Sequence, residues 1–237
     1  MKIEKLSEIE NQTYQVIKDI LKNHKQFTLN DLLTQCFATL CPPHTEETVA
    51  AALDALAKKR YFIKGTTLTR EDVANNAVRA RILNFIMKNP GAYNRLIRRE
   101  CNLGSNEFKW HLGMLLKFHF IKKVPFNGRS YGYFEDRNYM NHEFDLFLLQ
   151  NEKVKMILEY LAVTPNSISG IARDLGIHYS TVQKYMEILM EREFVQPMME
   201  NDHHEIYHVI QTLMIKLRKI VNGQAFIEFA TESRSEV

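Results

Sequence analysis

One helix-rich pattern occurs three times along the 237 residues of the chain. Each copy contains an amphipathic helix, a shorter helix, and a third helix whose apolar residues recur at spacings of three and four and so share one face. Three coincident trios are hard to attribute to chance, so the repeat restricts the fold to tandem copies of one small unit. The trios are Val49, Leu53 and Leu56; Phe108, Leu112 and Leu115; and Val182, Met186 and Leu189.

The residues after each third helix predict whether a β-hairpin follows. The aligned third helices close with Phe62-Ile63, Phe120-Ile121 and Phe194-Val195. The middle copy then has two short strands around Asn127-Gly128, a dipeptide favoured in tight turns. The last copy has strand, polar turn and strand over residues 195–209, whereas "IKGTTLT" in the first copy is too short. The pattern predicts a mainly α fold with short β-hairpin wings, in the α+β class.

Breakers and composition changes divide the chain further. The first helix of the middle copy, with Val78, Ile82, Phe85 and Ile86 on one face, stops at Asn89-Pro90-Gly91. Glycine at Gly176 is the expected C-cap of the short helix in the last copy. The predicted divisions are a degenerate N-terminal module at 1–75, a basic module at 76–137, a packed linker at 138–148, a module with an acidic wing at 149–210, and a C-terminal helix and tail at 211–237.

Composition is that of an ordinary globular chain, with 45% hydrophobic and 25% charged residues. The three cysteines form no C-x-x-C pair and are odd in number, which favours reduced thiols over disulfides or zinc. The N-terminus lacks the apolar core of a signal peptide, and no apolar run approaches the ~20 residues of a membrane span. We therefore expect a cytoplasmic protein without a membrane span.

Two segments carry a family resemblance. "NPGAYNRLIRRECNLGSNEFKWHLGMLLKFHFIKK" resembles the winged helix-turn-helix stretch in which an N-P-G turn leads into the second helix and a "WHL" or "YHL" step lies in the recognition helix. "LGIHYSTVQKYMEILMEREFV" is similar to a second variant. The copies thus resemble MarR/ArsR-type winged-helix modules of archaeal and bacterial regulators, over residues 76–209 closely and 11–68 loosely. The resemblance implies three tandem winged-helix modules whose third helix lies in the major groove of DNA.

The distribution of charge favours the middle copy as the DNA reader. The formal net charge is only +3, yet residues 76–137 contain twelve Lys/Arg against four Asp/Glu. Residues 150–209 contain five Lys/Arg against nine Asp/Glu, including an acidic wing that repels phosphate. A basic module in a nearly neutral chain is typical of a surface that contacts phosphates.

The residues expected to contact double-stranded DNA follow from these positions. In the middle copy they lie on the second helix, the third helix and the wing: Arg95, Arg98, Ser105, Asn106, Lys109, Trp110, Lys122, Lys123 and Arg129. Trp110 lies off the apolar trio, so we expect it at the helix flank, against phosphate, sugar or a partner module. The weaker set in the last copy is Tyr179, Ser180, Thr181, Gln183 and Lys184.

Other chemistry is poorly supported. His203, His204 and His208 are the only cluster of metal-ligand types, and a solvated loop is the default reading, so we expect no metal and no cofactor. No catalytic motif occurs, which predicts a non-enzyme. The C-terminal helix, with Leu213, Leu217 and Ile220 on one face, either forms a homodimer contact, which we favour, or folds back onto its own module.

Two functions remain open at this point. The first is a DNA-binding transcriptional regulator. The second is a protein-interaction scaffold, because tandem winged helices also build ESCRT-II subunits and subunits attached to RNA polymerases. The third helix of the first copy begins with Glu46 and Glu47 and then lacks hydrogen-bonding side chains over Val49–Ala52. We expect that helix to pack on a protein partner or on another module.

Overall fold

The fold is described by a computed structural model that covers residues 6–23, 28–126, 128, 130–201 and 204–220. These residues are mainly helical and form two small antiparallel hairpins, so the predicted α+β class is confirmed and is consistent with a winged-helix-like fold. The elements are α1 (Glu8–Asn23), α2 (Leu29–Leu40), α3 (Glu46–Lys58), α4 (Arg70–Ala74), α5 (Ala77–Lys88), α6 (Asn94–Glu100), α7 (Ser105–Lys117), β1 (Ile121–Phe126), β2 (Ser130–Glu135), α8 (Glu143–Leu148), α9 (Glu152–Val163), α10 (Ile168–Leu175), α11 (Tyr179–Glu191), β3 (Val195–Asn201), β4 (His204–Val209) and α12 (Gln211–Ile220).

The chain divides into two units. One contains Met1–Leu83 and Leu103–Ile121, and the other contains Asn84–Asn102 and Lys122–Val237. The division passes through the middle copy, because α7 and Ile121 belong to the first unit, whereas α6 and the rest of the β1–β2 hairpin belong to the second. The module bounds that follow the sequence repeat therefore stay predictions.

The first unit begins with a three-helix core. Helices α1, α2 and α3 pack on one another, with Ile17, Leu32 and Leu56 fully buried between them. The predicted start of α3 is confirmed, because the Thr45 side chain accepts a hydrogen bond from the backbone N–H of Thr48 at 3.3 Å. Residues 59–69, all of them described, contain no β-strand, as expected of a copy without a wing.

Each third helix ends in the same backbone turn. A non-glycine residue adopts the left-handed conformation, and the next amide bonds back to the carbonyl of the last residue in the apolar trio, which is a Schellman motif. The left-handed residues are Arg60, His119 and Glu193, with φ of 57°, 55° and 59°. The backbone N–H to carbonyl hydrogen bonds that close these turns are Tyr61 to Leu56 at 2.9 Å, Phe120 to Leu115 at 2.9 Å and Phe194 to Leu189 at 2.8 Å.

These bonds fix how the copies align. The apolar pair of the first copy is Tyr61-Phe62, with exposures of 5% and 6%, so the predicted pair Phe62-Ile63 was wrong by one residue. The trios themselves are confirmed, because all nine side chains are at most 5% exposed. The predicted face of α5 is confirmed only in part: Ile82 and Ile86 are fully buried, but their neighbours on the buried face are Leu83 and Arg79.

The last copy lies wholly within the second unit. Helices α9, α10 and α11 pack around Ile157, Ile171 and Met186, and the β3–β4 hairpin packs on α9 and α11. The predicted glycine C-cap is confirmed, because Gly176 follows α10 with φ of 62°. The turn then passes through buried Ile177 into α11, which completes a helix-turn-helix followed by a hairpin.

The C-terminal helix packs against the core of its own unit. Leu217 of α12 is 1% exposed within that core, and Leu213 packs on it. The side chain of Ile220 lies outside the described set. The apolar face of α12 is thus used at least partly within one chain, and a homodimer through this helix stays a prediction.

Part of the predicted linker at 138–148 is buried, although Met140 is 65% exposed, and the linker bounds stay a prediction. Leu146 and Leu148 of α8 lie in the core of the second unit. The backbone of Phe147 approaches Gly91 so closely that a Cβ there would lie 2.7 Å from it, and Gly91 has φ of 88°. Only glycine therefore fits at position 91, in the turn that follows α5. No described helix is both long and apolar enough to cross a membrane.

Candidate nucleic-acid interface

Helix α7 presents one continuous exposed face, here named the α7 stripe. Phe108, His111, Leu112 and Leu115 are buried on the opposite side. Trp110 is 55% exposed, which confirms its predicted position at the helix flank. Ser105, the first residue of α7, is exposed beside the stripe. The α7 stripe consists of Asn106, Lys109, Trp110, Gly113 and Lys117.

The stripe holds an amide, two cations, a large aromatic ring and a glycine without a side chain. It contains no acid itself, but the exposed carboxylate of Glu107 lies beside it in the first turn of α7. Nothing lies within 4 Å of the position that a Cβ would take at Gly113, so the surface beside the tryptophan is open. Lys117 was not among the residues chosen from the sequence. The spacing from Asn106 through Lys109 and Gly113 continues to it, and that signal was sufficient to find it.

The indole of Trp110 rests on two other side chains of the first unit. The guanidinium carbon of Arg79 lies 5.4 Å from the indole centroid, and the His111 ring meets the indole edge-on at 4.7 Å. Burial, and secondarily the positive charge of Arg79, lowers the pKa of His111 below its ordinary value of 6.5. His111 is therefore neutral near pH 7.

The equivalent face of α11, here named the α11 stripe, differs in charge. Ser180, Gln183, Lys184, Glu187 and Glu191 form it, and all are exposed. The Ser180 hydroxyl lies 2.8 Å from Nδ1 of His178, and the Gln183 amide donates to Glu187 at 3.3 Å. Two of the predicted contact residues of the last copy are therefore engaged locally.

Two further residues of that predicted set lie at the start of α11. Tyr179 is 49% exposed, whereas Thr181 is half-buried. Tyr179 can meet a ligand without rearrangement. Thr181 presents only part of its side chain.

The equivalent face of α3 in the first copy, here named the α3 stripe, has the fewest side chains suited to recognising DNA. It contains Glu47, Ala50, Ala51, Asp54 and Lys58 at the equivalent positions. Lys58 and Asp54 form an exposed ion pair at 2.6 Å. Two alanines and two acids give such a face little to offer to bases or phosphates.

The remaining basic candidates belong to the second unit. Arg95 of α6 is exposed and Arg98 is half-buried. On β1, Lys122 forms an ion pair with Glu143 at 2.8 Å, and Lys123 lies 3.7 Å from the ring centroid of Tyr131. Arg129, which the sequence predicts at the wing tip, lies outside the described residues. Of the predicted candidates on α6 and β1, Arg95 and Lys123 are thus the two that are exposed to solvent.

Internal contacts reduce the basic surface that the residue count predicts. Arg79 is only 4% exposed, and three further cations of residues 76–137 are paired with carboxylates. These pairs are Arg99 with Glu100 and Glu152, Lys122 with Glu143, and Arg137 with Glu135.

Two further sequence expectations concern the wings. The spacing of Tyr131 and Tyr133 along the returning strand predicts that both are exposed. Tyr131 is 37% exposed, but Tyr133 is only 3% exposed, and its backbone amide and carbonyl pair with Ala92 and Gly91. In the histidine cluster, His203 and the side chain of His204 lie outside the described set. His208 lies 2.8 Å from the amide nitrogen of Gln196. The described residues contain no group of three or more metal-ligand types.

Comparison with known proteins finds a similarity to a transcriptional regulator. No family model matches the chain. The chain is 30% identical over 164 residues, 68% of its length, to an uncharacterized HTH-type transcriptional regulator of Methanocaldococcus jannaschii. The chain spans 41% of the length of that relative. HTH in that name denotes helix-turn-helix, the element that α10 and α11 form here.

Proposed function

We propose that the protein is a non-enzymatic DNA-binding transcriptional regulator of the MarR/ArsR-like winged-helix type. In this proposal the basic middle copy makes the main contact with duplex DNA. The observation that carries the proposal is the α7 stripe, the one third-helix face of the three that bears cations and an amide without an acid. The name of the M. jannaschii relative supports the same class. The proposal requires no cofactor and places the protein in the cytoplasm.

The side chains of the α7 stripe fit known modes of base and phosphate recognition. Asn106, in the first turn of α7, can make two hydrogen bonds to adenine in the major groove. Lys109 can reach guanine or a phosphate, and Lys117 at the far end suits a phosphate. The missing side chain at Gly113 leaves room for a DNA backbone to approach.

Secondary contacts are assigned to exposed cations and to α11. Arg95 and Lys123 supply sequence-independent phosphate contacts, and Arg129 takes the wing-tip role that the family resemblance implies. Tyr179 and Lys184 are the open members of the α11 set. Because Glu187 and Glu191 share that face, α11 contributes less to affinity than α7 does.

Selection of bound sequences from a random duplex pool tests the proposal. Enrichment of one motif, with binding that weakens as salt rises, supports it. Lys109→Ala and Arg129→Ala are expected to weaken binding, whereas Lys58→Ala on the α3 stripe is the matched control and leaves it unchanged. Equal binding by all three variants would contradict a role for the middle copy.

A scaffold function is the alternative, and the α3 stripe favours it. That face carries two acids and two alanines and is followed by no hairpin within residues 59–69, which are fully described. Such a helix suits a protein partner better than DNA. A size measurement beside the DNA selection separates the alternatives: a homodimer that binds duplex supports the regulator, whereas no duplex binding at low salt favours the scaffold.

A further inference from the structure

Arg79 is buried and forms no ion pair within 4 Å among the residues that the structure describes, and the Asp72 carboxylate acts on it only at longer range. Its Nε donates to the carbonyl of Val73 and its Nη2 donates to the carbonyl of Asp72, both at 3.0 Å. Those carbonyls belong to the last turn of α4, where a cation is favourable. Nη1 of Arg79 is buried and, among the described atoms, has no hydrogen-bond partner. Burial lowers the pKa of Arg79. Burying the charge of an arginine at this position therefore costs folding free energy that an apolar side chain would not cost.

The last copy shows what the same position needs for folding alone. Asn76 caps α5 by accepting from the amides of Val78 and Arg79, both at 3.1 Å. Asn151 caps α9 in the same way, accepting from Lys153 at 3.0 Å and Val154 at 3.4 Å. Arg79 therefore corresponds to Val154, which is fully buried. An apolar side chain at this position is therefore sufficient to form the core of such a copy.

The two copies differ in a second, matching position. When α7 and α11 are aligned on the Schellman turns that end them, Trp110 on the α7 stripe corresponds to Lys184 on the α11 stripe. The copy that exposes an indole carries the buried arginine beneath it, and the copy that exposes a lysine carries valine. The buried cation and the exposed ring thus occur together.

We propose that Arg79 is a positioning residue, whose hydrogen-bonded guanidinium holds the indole of Trp110 in the orientation in which it meets DNA. The contact with DNA rests on the proposed function, whereas the positioning of the indole does not. The guanidinium is fixed by two α4 carbonyls, lies against the indole and leaves the ring half exposed. A side chain that is already ordered loses less entropy when a partner binds it, so the arrangement favours affinity.

Trp110 is the only tryptophan of the chain, so its spectrum reports the positioning directly. The expected result for Arg79→Met in the full chain is loss of the near-ultraviolet circular dichroism of the indole and faster quenching of its fluorescence by acrylamide. Arg79→Lys, which keeps the charge but lacks the planar fork, is expected to give an intermediate result. Arg81→Met, an exposed arginine of the same helix, is the matched control and changes neither signal.

Duplex binding tests the consequence for recognition. Arg79→Met is expected to weaken binding about three- to ten-fold in the wild-type background and to have no further effect in a Trp110→Ala background. A general loosening of the fold would weaken both backgrounds alike. Unchanged indole signals in both Arg79 variants would overturn the positioning role. If the wild-type chain binds no duplex, the proposed function fails, while the spectra still decide the positioning.

Discussion

Helices α7 and α11 bury corresponding apolar trios but differ in the charge of their exposed sides. Phe108, Leu112 and Leu115 correspond to Val182, Met186 and Leu189, and both trios are buried and end in the same left-handed turn. On the exposed side, the α7 stripe carries two lysines and no acid, whereas the α11 stripe carries one lysine and two glutamates. The buried side and the terminal turn therefore specify the fold, while the exposed side is free to specify what each copy contacts.

The largest expected effect concerns the side that the two helices share. Leu115→Ala and Leu189→Ala should each lower the free energy of unfolding by about 2–5 kcal/mol, because each removes a buried side chain and leaves a cavity. Urea denaturation measures this effect. Leu29→Ala, at a residue 56% exposed, is the control and should change stability by less than about 0.5 kcal/mol. A small effect at only one of the two leucines would show that the copies are not equivalent.

Exchanging the charges of the exposed sides gives the next largest effect. Lys109→Glu with Lys117→Glu should weaken duplex binding about 10- to 100-fold, because two phosphate contacts become repulsions. Glu187→Lys with Glu191→Lys should strengthen it, since the α11 stripe then resembles the α7 stripe. Fluorescence anisotropy with a labelled duplex at low salt measures both. If both exchanges weakened duplex binding equally, the charge of neither stripe would determine the affinity.

Substitution of Gly113 on the α7 stripe should change stability and duplex binding in opposite directions. Gly113→Ala should raise the free energy of unfolding by about 1 kcal/mol, because alanine favours the helix and meets no atom within 4 Å. The same change should weaken duplex binding, since the added methyl occupies the space for the DNA backbone. Thermal unfolding and anisotropy on one sample check both effects. A variant that is more stable and binds equally well would contradict the close approach.

The smallest expected effect lies at the position where the buried sides differ. His111 corresponds to Tyr185, which is half-buried and whose hydroxyl accepts from Asn151 at 2.9 Å. The pKa of His111 is lowered in the folded state, mainly by burial, so the unfolded chain binds a proton more readily. The stability contributed by neutral His111 is present above the unfolded pKa of 6.5 and is lost as pH falls through the folded value. His111→Gln should therefore flatten the dependence of unfolding free energy on pH in that window, and an identical profile would contradict it.

Local patterns predicted most of the fold. Spacing of three and four identified all nine trio residues, and caps such as Gly176 marked helix ends. The one-residue error at Phe62-Ile63 arose because apolar residues occupy 61, 62 and 63, so composition alone cannot fix the register that the Schellman turn fixes. Helix α4 was missed although Thr69 and Asp72 form a capping box, because a helix of five residues has no apolar period.

The candidate site was less predictable, because long-range contacts decide which polar side chains remain free. Lys122 is paired with Glu143, twenty-one residues away, and no local signal indicates that pair. Arg79 counts as a surface cation in any composition argument, yet it lies on the buried face of α5. Exposure of Trp110 could be predicted, since it follows from helix geometry alone.

The dependence of duplex binding on salt, compared between two single neutralisations, tests the central claim most directly. Lys109→Gln on the α7 stripe and Lys184→Gln on the α11 stripe remove one exposed cation each from third helices of the same design. If α7 is the main reader, the magnitude of the slope of log K against log salt should fall by about 0.9 for Lys109→Gln and by clearly less for Lys184→Gln. An unchanged slope for Lys109→Gln in a chain that binds duplex would contradict the account.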